Sequence, residues 1–258
     1  VEEGIRLRRT GTLSGEILVL GYTPPEQAGL LARHRLTQAV VSLEHALALA
    51  RTGRRLRVHI KLDTGMHRLG ILWDDLPALE RVCACPHLKI TGIFTHLADA
   101  EALDPVDEAR TQLQIRRFYT AVKAMQERGL PTGRQHIQST YGLLNYGPLP
   151  CAYVRTGIAL CGVLSRPEER TRTLPDLRPV LSLRARVGQI HTLGPGERAG
   201  YDGSFVADGP CRVALVTIGY ADGVPRSLSR GEGHVLIRGQ RVPVAGLICM
   251  DQLLVDVT

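Results

Sequence analysis

The stretch RVHIKL (Arg57–Leu62), followed by LPALERVC (Leu76–Cys83) and KITGIFT (Lys89–Thr95), decides the fold of this chain. The first and third segments are short and rich in β-branched or apolar residues, which is typical of buried strands. The middle segment carries its apolar residues at helical spacing. Two strands joined through a helix predict a parallel pair, because a parallel connection needs a crossover of about a dozen residues or more.

Strand and helix segments continue to alternate on both sides of this unit, and we expect six strands in all. The pattern begins with a helix that no strand precedes, at Val1–Arg9. Since a parallel barrel closes comfortably at about eight strands, residues 1–177 are expected to form an α/β, (β/α)8 TIM-type barrel that is incomplete, with its first two strands missing. The other predicted strands are Ile17–Gly21, Gln38–Ser42, Arg134–Ile137 and Tyr153–Cys161, and the other helices begin at Pro25, Leu43, Glu108 and Tyr141.

After the Pro/Arg-rich stretch Ser165–Arg178, helices no longer separate the strands. We place a domain boundary near Pro175 and expect a mostly β domain over residues 178–258. Its last strand runs into Thr258 without a closing turn, so the domain is expected to be incomplete at its C-terminus. The predicted strands are Val180–His191, Cys211–Ile218, His234–Ile237 and Leu253–Val257.

The amino-acid composition limits the classes of partner that the protein is expected to bind. The 32 basic and 25 acidic residues give a formal charge of +7, but aromatic residues make up 4% and the arginines are spread along the chain. A nucleic-acid surface needs clustered cations, so no nucleic-acid partner is expected. Scattered cysteines indicate a reducing compartment, and Cys83 and Cys85 lack the second ligand pair of a metal site.

Localisation is expected to be cytoplasmic, because no signal peptide is visible. No apolar run is long enough to span a bilayer, so this segment is expected to make no membrane contact. Tethering to the inner face of the membrane is the alternative if a membrane domain precedes residue 1.

Polar residues stand at the ends of the predicted barrel strands, where a barrel of this kind places its active site. They fall in the runs Lys61–Arg68, Thr95–His96, His136–Thr140 and Arg155–Ile158. We therefore expect one polar cavity that contains His96, Ser139, Arg155 and Gly157. The single triplet Asp63-Thr64-Gly65 does not indicate an aspartic protease, which needs two carboxylates that share a proton.

Six segments resemble, in order, those of the alanine/serine racemase family, a pyridoxal-phosphate-dependent family of fold type III. They are HIKLDTGMHRLGI from His59, GIFTHLADAE from Gly92, YVRTGIALCGV from Tyr153, AGYDGSF from Ala199, IGYADG from Ile218 and GLICMDQ from Gly246. HIQSTYGLLNY from His136, with AGYDGSF, is most similar to the racemase domain of the membrane-bound serine racemases of vancomycin resistance. The resemblance implies an isomerase for L- and D-alanine or serine that supplies peptidoglycan precursors.

The resemblance also implies pyridoxal 5'-phosphate as cofactor and a homodimer whose sites each take a tyrosine from the other subunit. Tyr201 matches that tyrosine, a proton carrier on one face of the substrate. The unperturbed pKa of a tyrosine, about 10, is too high for a base at neutral pH, so nearby positive charge must lower it. His96 and Arg155 match the neighbours that do so.

Further roles are implied residue by residue. Arg155 matches the arginine that donates to the pyridine nitrogen; because arginine holds its proton, the nitrogen stays unprotonated and side reactions are limited. The remaining cofactor-binding residues implied are His136, Ser139, Thr140, Gly157 and Ile158. The substrate-binding residues implied are Lys61, Arg68, Met250 and Asp251, with Lys61 matching a lysine that is carbamylated in many members.

This chain departs from the family pattern in two ways, and two alternative functions stay open. The family's cofactor lysine ends the first barrel strand, and Lys61, Lys89 and Lys123 match other positions, so a non-catalytic remnant without that lysine is one alternative. A related pyridoxal-phosphate barrel decarboxylase is the other, although the settings of Tyr201 and Met250 fit racemases better. Leu247 replaces an arginine common in the family, which places the polar entrance gate in doubt.

Overall fold

A computed structural model describes residues 1–11, 14–165 and 171–258. Within them the chain forms two compact units, Val1–Val180 and Leu181–Thr258. The stretch Ser165–Arg178, in which the boundary is expected, is described except for residues 166–170. The first unit combines helices with a parallel sheet, and the second is built from antiparallel strands.

The parallel sheet of the first unit has six strands, in the order β1-β2-β3-β5-β6 with β4 paired to β3. Helices connect its strands, which confirms the predicted barrel-type α/β class. The strands are β1 (Ile17–Val19), β2 (Leu36–Val40), β3 (Leu56–Asp63), β4 (Ile71–Leu72), β5 (Leu88–Phe94) and β6 (Arg134–His136). The helices are α1 (Glu2–Arg9), α2 (Ala28–Arg33), α3 (Leu43–Arg51), α4 (Leu76–Cys83), α5 (Pro105–Glu127) and α6 (Thr140–Tyr146).

Short polar side chains start three of these helices. Ser42 Oγ accepts a hydrogen bond from His45 N at 3.1 Å, and Asp75 Oδ1 accepts one from Ala78 N at 3.0 Å. Asp104 accepts from two amides of the first turn of α5. Because the first amides of a helix lack acceptors within the helix, these side chains fix where α3, α4 and α5 begin.

Strand β3 separates the hydrophobic core from the candidate site. Val58, Ile60 and Leu62 belong to the main core cluster, which the helices cover on one face of the sheet. Successive side chains of a strand point to opposite faces, so His59 and Lys61 project to the other face. That face holds a smaller apolar cluster formed by Ala39, Val41 and Phe94, with Leu69 packed against it.

The expected strand Tyr153–Cys161 is wrong. Ala152 N donates to Gln135 O at 2.8 Å and Arg155 N donates to Gln138 O at 2.9 Å, but two backbone bonds do not make a ladder. From Ile158 to Cys161 the backbone turns into a 3-10 helix. The sheet reaches six strands through β4 instead, a two-residue strand that is too short to give a periodic signal.

The second unit contains a five-stranded antiparallel sheet in the order β11-β12-β13-β10-β7 and a two-stranded ribbon of β8 and β9. The predicted strand Val180–His191 starts later, and two strands of two residues each and one strand of six residues were not predicted. The strands are β7 (Val187–Leu193), β8 (Arg198–Ala199), β9 (Phe205–Val206), β10 (Cys211–Val216), β11 (His234–Ile237), β12 (Gln240–Ala245) and β13 (Leu253–Asp256).

Within the described ranges, no helix is long and apolar enough to cross a bilayer. Nor do the described His, Cys, Asp and Glu side chains form a group of three or more that could hold a metal ion.

Candidate active site

A cavity of about 760 Å³ opens in the first unit at the carboxyl ends of β3 and β5 and the segments after β6. The convergence expected from the sequence is observed there. The residues predicted for the site that line it are Lys61, Arg68, His96, Ser139, Thr140, Arg155, Gly157 and Ile158. Glu101 is the one acidic side chain among the described lining residues, so the cavity is predominantly cationic.

The loop that carries Arg68 is shaped by Asp63 at the end of β3. Asp63 Oδ1 accepts from the amides of Gly65 at 2.9 Å and His67 at 3.1 Å, and Oδ2 lies 3.2 Å from His67 Nδ1. Burial alone raises the pKa of the Asp63 carboxyl, but these amides and His67 hold it below its usual value. Asp63 therefore stays ionised, and its hydrogen bonds fix the conformation of the loop.

Gln114 of α5 joins this loop to the segment after β5. Its Nε2 donates to Thr64 Oγ1 and to His96 O, both at 3.3 Å, and its Oε1 accepts from Ala98 N at 2.9 Å. The hydroxyls of Thr64 and Thr95 lie 2.8 Å apart. Because Gln114 is buried, its hydrogen bonds fix the loops that contribute Arg68 and His96 relative to each other.

The guanidinium of Arg155 lies in the middle of the cavity floor. Its Nη1 donates to His136 Nδ1 at 2.7 Å and to His136 O at 3.1 Å. Its Nη2 donates to Thr95 O at 2.7 Å and to Ile137 O at 3.1 Å, and lies 3.4 Å from His96 Nδ1. Burial lowers the pKa of Arg155 to about 10, so it remains a cation at neutral pH.

Two histidines beside Arg155 are neutral. Burial, followed by the positive charge of Arg155, lowers the pKa of His136 to about 3. Burial, with Arg155, Lys61 and Arg68, lowers the pKa of His96 to about 4. Both rings therefore serve as hydrogen-bonding groups at neutral pH and add no charge to the cavity.

Lys61 is buried on the inner face of β3, with Nζ 5.9 Å from the centroid of the Phe94 ring. Burial lowers its pKa, as do Arg68 and Arg155, while Asp63 opposes the shift. Among the described residues no carboxylate forms an ion pair with it. A lysine in such surroundings gives up its proton more readily than an exposed one.

Hydroxyl and amide groups also line the cavity. Ser139 precedes α6, and its side chain makes no capping hydrogen bond to that helix. Gly157 N donates to Thr140 Oγ1 at 3.0 Å. A hydroxyl that accepts one bond still has a proton to donate, so Thr140, like Ser139, offers a donor to an anion in the cavity.

Three predicted residues, Tyr201, Met250 and Asp251, belong to the second unit. Tyr201 is 70% exposed on the short 3-10 helix Tyr201–Gly203. The next residue, Asp202, has φ of 66° and accepts a hydrogen bond from Arg230 Nη2 at 2.8 Å. A left-handed backbone is unfavourable for most L-residues, and this ion pair holds the turn that presents the tyrosine.

Met250 and Asp251 are exposed and lie in a loop bound to the segment Gly219–Asp222. Tyr220 N donates to Cys249 O at 3.0 Å, and Ala221 N donates to Met250 O at 2.8 Å. A Cβ on Gly219 would lie 2.3 Å from Cys249 O. The absence of a side chain at Gly219 is what lets the two motifs pack together.

His136 does not lie among the lining residues of the cavity. Although the sequence groups it with the cofactor-binding residues, it is buried and does not line the cavity; it lies behind Arg155 and contacts it. Sequence reasoning missed Gln114 and His59. His59 lies two residues before Lys61, on the same face of β3, which is the signal that would have indicated it.

Comparison with known proteins covers nearly the whole chain. Residues 1–165 match the family model for the alanine racemase N-terminal domain, and residues 180–258 match the model for the alanine racemase C-terminal domain. A curated relative, the serine/alanine racemase of Enterococcus gallinarum, is 42% identical over 258 residues. The alignment covers 100% of this chain and 37% of that protein, so the chain spans little more than a third of the length of this relative.

Solved structures agree with these matches. A crystal structure of alanine racemase from E. faecalis superposes with a TM-score of 0.88 at 29% identity, covering 100% of this chain and 68% of that one. A crystal structure of alanine racemase from Bartonella henselae, described as having covalently bound pyridoxal phosphate, superposes with a TM-score of 0.80 at 27% identity. It is matched over 100% of this chain and 69% of its own.

Proposed function

The chain belongs to the alanine racemase family, and we propose that the protein carrying it interconverts the L and D forms of alanine, serine or both, with pyridoxal 5'-phosphate as cofactor. The observation that carries this proposal is the cationic cavity around Arg155, where hydroxyl and amide donors meet a fixed guanidinium. When bound, pyridoxal 5'-phosphate withdraws electrons and makes the Cα proton of an amino acid removable.

Arg155 fits the ring nitrogen of this cofactor. Both of its Nη atoms are engaged with acceptors of the protein, whereas Nε makes no hydrogen bond to the residues that the structure describes. Nε–H is therefore the donor left for an acceptor in the cavity. Because arginine keeps its proton at neutral pH, it hydrogen-bonds a ring nitrogen without protonating it.

The phosphate group fits the wall formed by Ser139, Thr140, Gly157 and Ile158. Ser139 and Thr140 supply hydroxyl donors, Ile158 offers its backbone amide, and Gly157 lines the cavity with them. Gly157 N already donates to Thr140 Oγ1 at 3.0 Å, which directs the hydroxyl proton of Thr140 elsewhere. Such a set of neutral donors suits a dianion, because hydrogen bonds to a charged acceptor are the strong ones.

The substrate carboxylate is assigned to Arg68, which lines the same cavity. Burial lowers the pKa of Lys61, and repulsion from Arg68 lowers it further. Conversion of Lys61 to a carbamate anion would turn that repulsion into attraction, since a buried charge is stable only when paired. The resemblance assigns substrate binding to Met250 and Asp251 as well.

Tyr201 moves the proton on one face of the substrate, and the enzyme is a homodimer in which each Tyr201 serves the other subunit's site. The 70% exposure of Tyr201 suits a side chain that works across an interface.

One assay tests the proposal. The protein of the complete gene, loaded with pyridoxal 5'-phosphate, is incubated separately with L-alanine and L-serine, and the D enantiomers are quantified by chiral chromatography. The proposal predicts formation of at least one D enantiomer. Release of CO₂ without racemisation would favour a decarboxylase, and absence of both reactions would favour a non-catalytic remnant.

A further inference from the structure

We propose that His59 is a positioning residue that holds His136 as the Nε2–H tautomer, so that His136 Nδ1 stays free to accept from Arg155. The statement about the proton positions stands without the proposed function. Only its link to cofactor binding rests on that function.

The contact with Arg155 fixes the position of the proton on His136. Arg155 Nη1 lies 2.7 Å from His136 Nδ1, and a guanidinium has donors but no acceptor. His136 Nδ1 must therefore accept and carry no proton. Since the ring is neutral, its one proton is on Nε2.

His59 provides the acceptor for that proton. His136 Nε2 lies 2.9 Å from His59 Nδ1, and both rings are buried. His136 donates, so His59 Nδ1 accepts and His59 carries its own proton on Nε2. That Nε2 has no hydrogen-bond partner within the described ranges, which leaves the bond to His136 as the one polar role of the His59 ring.

The His59 ring reaches His136 by passing over Gly92 of β5. In the sheet register His59 is opposite Gly92, and Phe94 lies between Lys61 and His136 in the next row. A Cβ on Gly92 would lie 2.5 Å from His59 Cε1. The missing side chain at Gly92 is therefore the space that the His59 ring occupies on its way across β5.

Phe94 fixes the plane of the second ring. It stacks on His136 with ring centroids 4.8 Å apart and an interplanar angle of 7°. Its face also lies under the guanidinium of Arg155, 5.2 Å from the centroid. With the His136 plane set by Phe94, the remaining freedom is which ring nitrogen carries the proton. The Arg155 contact requires the proton on Nε2, and His59 stabilises that tautomer by accepting the Nε2 proton. Without this acceptor the buried Nε2–H has no partner, and the tautomer with the proton on Nδ1, which breaks the Arg155 bond, becomes competitive.

The surrounding charges keep both rings neutral. Burial is the largest effect on His59, Glu16 raises its pKa, and Arg134, Arg57 and Arg155 lower it; the net direction is downward. Protonation of His59 would also place two N–H groups face to face in the His59–His136 pair. Neutral rings allow an uninterrupted series of bonds from Arg155 through His136 to His59.

Matched substitutions separate this role from simple packing. Asn has a side-chain oxygen at nearly the position of His Nδ1 and can accept the same bond, whereas Leu fills space without an acceptor. His59→Asn is therefore the rescue variant and His59→Leu the loss variant. Gly92→Ala leaves His59 in the sequence but displaces its ring, so it should behave like His59→Leu.

The experiment has two readouts on the full-length protein. Long-range ¹H–¹⁵N correlation of the histidine side chains, without cofactor, reports the tautomer of His136. Fluorescence titration with pyridoxal 5'-phosphate reports its dissociation constant, and thermal unfolding shows that each variant is folded.

We expect wild type and His59→Asn to show one Nε2–H tautomer of His136. His59→Leu and Gly92→Ala should show mixed tautomers and a dissociation constant raised about tenfold, as for a lost hydrogen bond near 1.4 kcal/mol. An Nδ1–H tautomer in wild type overturns the proposal even if no variant folds. Unchanged His136 signals in folded His59→Leu overturn it as well. If wild type shows the Nε2–H tautomer but binds no cofactor, the proposed function fails and the assignment of His59 stands.

Discussion

Arg155 Nη1 lies 2.7 Å from Nδ1 of the buried His136, so a cation of the cavity floor is held by a neutral ring and not by a carboxylate. The other Nη donates to the main-chain oxygens of Thr95 and Ile137. A guanidinium held in this way keeps its full positive charge toward the cavity. The same contacts make Arg155 part of the fold as well as of the site.

Removal of Arg155 should therefore cost stability as well as binding. We expect Arg155→Ala to lower the free energy of unfolding by about 2–4 kcal/mol, because several partly buried acceptors lose their donor. Urea unfolding followed by circular dichroism measures the change. Arg178→Ala is the control, since Arg178 is 89% exposed in its ion pair with Asp176 and should contribute almost nothing. Equal effects of the two substitutions would contradict the assignment.

Stability should fall as the pH falls below about 6.5, the ordinary pKa of histidine in an unfolded chain. Burial lowers the pKa of His136 to about 3 and that of His96 to about 4 in the folded state. The unfolded chain therefore binds more protons in this range, and unfolding becomes easier. The stabilisation is fully present above about pH 6.5 and is lost progressively toward pH 4 and below. Urea midpoints measured between about pH 8 and about pH 5 should decline, and His136→Gln should weaken the decline.

The hydroxyl wall can be tested through cofactor affinity. Ser139→Ala and Thr140→Val each remove one donor, and each should raise the dissociation constant for pyridoxal 5'-phosphate by about tenfold, one charge-assisted bond being lost. Equilibrium titration of the full-length protein measures this. Thr120→Val, on the exposed side of α5, is the matched control and should leave the affinity unchanged. An unaltered affinity in Thr140→Val would remove this wall from the cofactor site.

The Arg68 loop depends on Gly70. Its φ is 129°, and a Cβ there would lie 2.7 Å from Asp63 N, so Gly70→Ala should destabilise the protein by about 2 kcal/mol or more. Gly29→Ala is the matched control, because Gly29 is exposed in α2 with open space around it. That substitution should stabilise by roughly 0.5–1 kcal/mol. The two changes in unfolding free energy should have opposite signs.

Sequence reasoning succeeded where a local pattern determines the structure. α4 and β11 were predicted with their observed bounds, Leu76–Cys83 and His234–Ile237. In α4 the Asp75 cap and the helical spacing point to the same start. In β11 a short run of apolar residues lies between Gly233 and Gly239. Periodicity and capping are properties of a few neighbouring residues, so the sequence displays them directly.

Sequence reasoning failed where contacts with residues far away in the chain determine the local structure. The run Tyr153–Cys161 has strand-like composition, but its backbone after Arg155 finds no ladder and forms a 3-10 helix. The resemblance implies a cofactor-binding role for His136 but says nothing of its ring's contact with Arg155. That its ring points behind Arg155 depends on the register with Phe94 and on the His59 ring that crosses Gly92. Such relationships involve strands far apart in the chain and cannot be read from any one of them.

The measurement that tests the central claim most directly is racemisation by Tyr201→Phe in the full-length protein with pyridoxal 5'-phosphate bound. Phe keeps the ring but removes the hydroxyl that carries a proton on one face of the substrate. We predict that turnover falls by about a hundredfold or more in both the L-to-D and the D-to-L direction, while the cofactor absorbance stays nearly unchanged. Racemisation by Tyr201→Phe at the wild-type rate would contradict the account.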